Sequence, residues 1–161
     1  MNATTETKPA NNRELVLTRI LDATPAQLFK AWTTADLIKQ WWAPKPYQTP
    51  EVELDARPGG MMKTLMLAPD GTEHPHSGVF LELEQDRRIV FTDAFGKDWL
   101  PSQKPFMVAE VILEDLGGGK TRYTAYARHW TVEDCKAHEK MGFHEGWGQV
   151  AGQLEAVASK L

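Results

Sequence analysis

Five histidines and a single cysteine carry whatever acid–base, nucleophilic or metal chemistry this chain could perform, and their spacing separates them into distinct groups. "HPH" sets His74 and His76 two residues apart, which places both imidazoles on one face if the segment is a strand. Without a third carboxylate or thiolate nearby the two fall short of a metal site, and the surrounding residues read as a loop or hairpin end. Cys135 and His138 stand three apart on a helical stretch, close enough for a base to activate a thiol. No orienting third group or oxyanion donor accompanies them, so a structural cysteine is expected. His129 closes a strand where His138 or His144 can approach, and there it could orient a ligand or act as general acid–base. Glu110, Asp93 and Tyr126 are further candidate polar anchors, with nothing in their spacing to say which converge. "GGGKT" imitates a phosphate-binding loop, but the motif needs glycine where Glu114 stands and needs a helix after it. It reads as a hairpin turn, and no metal or other cofactor is called for.

The elements that must position these groups belong to a chain of 161 residues, 42% hydrophobic and 25% charged, a composition typical of globular domains. The length argues for one domain, residues 13–161, behind a polar, aperiodic tail over 1–12 that is expected to be disordered. A chain of this size buries roughly two-thirds of its unfolded surface, enough to build a core around a cavity. A net charge of −4 supplies no basic field, so nucleic acid is not an expected partner. Cys135 alone forms no internal disulfide, the first residues contain no apolar leader, and no window approaches a membrane span. A cytoplasmic protein, monomeric or homodimeric and not inserted in a membrane, is the expectation.

"ELVLTRIL" reads as a strand. After it Thr24 can cap a helix opened by Pro25, with Gln27 completing a capping box. A second short helix starts at Thr33 or Thr34 and ends in Trp41 and Trp42. Adjacent helical residues diverge by about 100°, so one tryptophan should enter the core and the other should lie toward a cavity mouth or solvent. Pro44 and Pro46 stop the helix and launch a run of strands: "YQTPEVELDA", "GMMKTLMLA", "SGVFLELE", "RRIVFTDAF", "PFMVAEVILED" and "KTRYTAYARHW". Short turns between them favour antiparallel pairing.

Alternation assigns the faces. Arg122 and Arg128 outward put Tyr123, Ala125 and Ala127 inward; Glu110 does the same for Met107, Ala109, Val111 and Leu113, and Lys63 for Met62, Thr64 and Met66. One sheet face is therefore apolar and rich in methionine, a side chain suited to adaptable binding surfaces. From Thr131, a capping residue with Asp134, the chain turns helical. Phe143, Trp147, Val150, Leu154, Val157 and Leu161 form its stripe, and Gly142 marks a break. Gly146, Gly148 and Gly152 each cost about 1 kcal/mol against alanine inside a helix unless close approach or ligand space requires them.

The runs "RILDATPAQLFKAWTTADLIKQWWAP", "VELDARPGGMMKTLMLAPDG", "SGVFLELEQDRRIVFT" and "GFHEGWGQVAGQLEAVA" resemble, in order, the activator of heat-shock-protein-90 ATPase homologue family, within the superfamily of START and Bet v 1-like proteins. The resemblance implies an α+β helix-grip fold: a curved antiparallel sheet, two short helices after the first strand, and a long C-terminal helix held by the sheet. It also implies an apolar cavity between sheet and long helix that binds a small hydrophobic molecule such as a lipid. In this chain Met62, Met66, Met107, Tyr123, Phe143, Trp147 and Val150 would line it, with Trp41, Trp42 and Tyr47 near one mouth and His129 at a polar end. Two alternatives accompany that reading. The family name suggests a chaperone-regulating partner, although the eukaryotic activators make much of that contact through a separate N-terminal domain where this chain has a short polar tail. Cyclase-like relatives suggest catalysis inside the cavity.

Overall fold

In the computed structural model, residues 8–161 are described. The expected disordered tail falls largely on residues 1–7, which lie outside the described residues. Its last residues turn into the first strand, with the Ala10 amide donating to the Glu14 carboxylate (2.7 Å) and the Arg13 amide to the Asn11 side chain (2.8 Å).

Strand β1 (Glu14–Leu21) leads to helix α1 (Pro25–Trp32), where Thr24 and Gln27 close a reciprocal capping box: the Gln27 amide donates to the threonine hydroxyl (3.1 Å) and the Thr24 amide to the glutamine carbonyl (2.9 Å). Helix α2 (Ala35–Trp41) follows. Strands β2 (Gln48–Leu54), β3 (Met61–Leu67), β4 (Glu73–Glu84), β5 (Arg88–Thr92), β6 (Met107–Gly117) and β7 (Lys120–His129) complete one antiparallel sheet in the order β1-β7-β6-β5-β4-β3-β2. Gly117 at the end of β6 and Gly118 and Gly119 after it all have positive φ, so "GGGKT" is the hairpin turn expected. Helices α3 (Val132–Lys140) and α4 (Phe143–Ala158) end the chain, and Gly142 at φ 97° makes the break between them. At Thr131 the hydroxyl accepts from the Asp134 amide (3.0 Å).

The architecture is the expected α+β helix grip. Tyr123, Ala125, Ala127, Ala109, Val111, Leu113 and Met62 all pack into the core under α1, α2 and α4, as alternation requires. None of the described helices is long and apolar enough to cross a membrane.

One boundary corrects the sequence reading. His74-Pro75-His76 belongs to β4, which starts four residues before "SGVFLELE". Strand β5 pairs only with Val79–Glu84, so the first residues of β4 form an edge on that side, where a proline sacrifices no ladder bond. Across β3, His74 stands opposite Met66 and His76 opposite Thr64.

Candidate functional site

Between the sheet and α4 lies a cavity of about 370 Å³, within the range in which small-molecule pockets fall. The sheet contributes Met62, Thr64 and Met66 from β3, Phe91 from β5 and Met107 from β6; the helical side contributes Phe143, Gly146, Trp147 and Val150. These last four recur at spacings of three, one and three, one face of α4. An alanine-type β-carbon at Gly146 would meet no heavy atom within 4 Å, so this glycine leaves room rather than permitting close packing. Gly148 behaves differently: a β-carbon there would come within 2.9 Å of the Arg19 guanidinium.

The two neighbouring tryptophans divide as helix geometry demands. Trp41 is fully buried, donates from Nε1 to the Ala31 carbonyl (3.1 Å) and packs edge-on against Trp32 with ring centroids 4.9 Å apart. Trp42 borders the cavity, edge-on to Trp147 at 5.5 Å. Gln153 on α4 holds the turn between them and Pro44, donating to the carbonyls of Trp41 (3.1 Å) and Ala43 (2.8 Å).

Of the other residues expected at the site, Met62, Met66, Met107, Phe143, Trp147 and Val150 border the cavity. Four do not. Trp41 belongs to the core. Tyr47 lies outside, exposed, with its ring 6.2 Å from that of His74. Tyr123 faces inward but ends beneath the cavity beside Trp32, on a separate gap of about 20 Å³, and burial pushes its phenol pKa up. His129 stands behind His138, away from the cavity wall. Glu110 and Tyr126 are on the opposite sheet face. There Glu110 accepts from Arg128 (2.6 Å) and Arg88 (2.5 Å); burial works to raise its carboxyl, and these two hydrogen bonds overcome it, leaving the pKa lowered. Asp93 does border the cavity, but its carboxylate is engaged by the amides of Phe106 (2.9 Å) and Met107 (3.2 Å).

Several lining residues escaped the sequence reading. Phe91 was within reach of it, since Arg88 outward sets Ile89 and Phe91 inward by the same alternation used elsewhere. Phe106 and Met141 lie in connecting segments without periodicity. The Thr64 hydroxyl is buried with no hydrogen-bond partner among the described residues.

At the far end His138 borders the cavity and meets His129: His138 Nδ1 lies 2.8 Å from His129 Nε2, and His129 Nδ1 lies 3.0 Å from the Arg13 carbonyl. Phe106 and Phe143 flank the His138 ring at 5.1 and 5.2 Å. Burial, then the neighbouring His129, push the His138 pKa down to about 4. Burial and His74 likewise lower that of His76. Cys135 is buried, and burial followed by Glu139 and Glu14 raises its thiol pKa, the opposite of an activated nucleophile.

A family model described as activator of Hsp90 ATPase homolog 1-like protein matches residues 22–159. The chain belongs to this family. The crystal structure of a protein from Nitrosomonas europaea is similar, 38% identical with a TM-score of 0.88 over 92% of this chain and 96% of that one. A protein from Chromobacterium violaceum is 26% identical, with a TM-score of 0.74 over 91% and 97% of the two chains. The fold alone is shared with a protein from Arthrobacter aurescens, 22% identical with a TM-score of 0.79 over 99% and 94%. No curated protein matches the chain.

For this member of the Hsp90-activator homologue family the half-buried His138 has a pH consequence. The fold favours neutral His138, while the unfolded chain takes up its proton near the ordinary 6.5. The associated stability is fully present above that value and is lost as the pH falls toward about 4. Urea unfolding between these limits should show a loss of stability that His138→Phe flattens. The lowered Glu110 carboxyl adds its own loss from its ordinary 4.5 downward, at the foot of this window, and His76, lowered from the same 6.5, leaves a residual slope in both proteins. Equal pH slopes for the two proteins would contradict the assignment.

Proposed function

We propose that this protein binds a small hydrophobic molecule in the cavity between sheet and α4. The observation that carries the reading is an interior of about 370 Å³ walled by five aromatic rings and four methionines, kept open by a glycine where the helix would be more stable with alanine. A core built only for stability would fill such a volume, because voids forfeit packing contacts. A buried free thiol fits the cytoplasmic setting we assign to it.

Catalysis by a cyclase or hydrolase would need a base that gains a proton near neutral pH. His138 is held near pKa 4 and its chain of hydrogen bonds ends on a carbonyl rather than a carboxylate, which favours holding a ligand over turning one over. The test uses N-phenylnaphthylamine, a neutral apolar probe that becomes fluorescent on leaving water. Saturable binding with one site per chain is expected, and a linear, unsaturable response would remove the reading.

A further inference from the structure

We propose that the ligand is a neutral, ring-bearing molecule whose hydroxyl or N–H donates to Nε2 of His138, and that carboxylates are turned away. This rests on the cavity being a binding site and adds the chemical class of its occupant.

The tautomers of the histidine pair follow from one backbone atom. The Arg13 carbonyl can only accept, so His129 Nδ1, 3.0 Å away, carries a proton. With both rings neutral, each imidazole has one N–H and one lone pair, which makes His129 Nε2 an acceptor. The 2.8 Å contact then requires the proton on His138 Nδ1. What remains is a lone pair on His138 Nε2, with no hydrogen-bond partner among the described residues, on a ring that borders the cavity while His129 does not. Phe106 and Phe143 pack on that ring and limit its reorientation. The second observation is electrostatic. Among the described residues Asp93 is the only formally charged side chain in the cavity wall, and neither lysine nor arginine borders it. A carboxylate, which only accepts, would meet a lone pair where it needs a donor and would find no cation to offset its desolvation. A flat ring suits the edge-on tryptophan pair Trp42 and Trp147 and the methionine thioethers beside it.

The experiment displaces N-phenylnaphthylamine with naphthol, methoxynaphthalene and naphthoate, all substituted at the same ring position. Naphthol, the donor, should compete about threefold to tenfold better than methoxynaphthalene, which can only accept, and naphthoate should be weakest. His138→Phe should erase the gap between naphthol and methoxynaphthalene. Because that substitution also alters packing, long-range proton–nitrogen NMR of the unaltered protein supplies an independent reading: His138 should be protonated at Nδ1 and bare at Nε2. Naphthoate binding as well as naphthol, a gap that survives His138→Phe, or a proton on Nε2 would each overturn the proposal. If the probe binds and the three competitors are equal, the donor rule fails and the binding site stands. If the probe itself fails to bind, both fall.

Discussion

Trp41→Ala should lower the unfolding free energy by about 3–5 kcal/mol, while the same change at its neighbour Trp42 should cost only about 1–2 kcal/mol. The asymmetry comes from the helix end. Trp41 is fully buried, stacks edge-on against Trp32, and supplies the N–H that satisfies the Ala31 carbonyl; truncation leaves both a void and an unpaired buried acceptor. Trp42 is half-buried and borders the cavity, so its loss enlarges an existing space more than it opens a new one. Urea titrations would give the stabilities, with Trp41→Ala shifting Tm downward by on the order of 10 °C. Probe affinity should follow the reverse order and suffer mainly at Trp42. A larger stability loss at Trp42 than at Trp41 would contradict the division of the pair.

The second large effect is expected at Gly146. It lies on the Phe143, Trp147 and Val150 face, and a β-carbon added there would have no heavy atom within 4 Å, so a leucine at this position grows into the cavity. Gly146→Leu should weaken probe binding by at least about tenfold, since the added side chain competes for the same volume. Gly146→Ala is the control. It should stabilise the helix by about 0.5–1 kcal/mol by removing glycine's excess freedom in the unfolded chain, and leave most of the binding intact. Stabilisation by both substitutions with unaltered affinity would place the ligand elsewhere.

Much of this architecture is legible in the amino-acid sequence. The capping box at Thr24, the outward charges at Lys63, Glu110 and Arg122, and the break at Gly142 are local rules, and each acts within a few residues. The site is legible where it rides on those rules: Met62, Met66, Met107, Phe143, Trp147 and Val150 follow from strand and helix periods. It is obscure where position depends on distant partners. Tyr123 faces the predicted way but stops short of the cavity, a matter of depth rather than of face. His129 reaches the cavity only through His138, whose placement is not signalled in the sequence because α3 lacks the apolar stripe that orients α4. Proline at position 75 argues against a strand, and only the short reach of β5 explains why the sheet tolerates it there. Whether Trp41 or Trp42 enters the core depends on where α2 crosses α4, which neighbouring sequence does not encode.

If the space beneath α4 receives an apolar molecule, the five methionines among the described residues can report it directly, because Met62, Met66, Met107 and Met141 border the cavity while Met61 sits on the other face of the same strand as Met62. With the methionine methyls carbon-labelled, saturating N-phenylnaphthylamine should shift the four bordering resonances through its ring currents and leave Met61 in place. Unmoved resonances at Met62, Met66 and Met107, or a shift at Met61 as large as theirs, would contradict binding in this cavity.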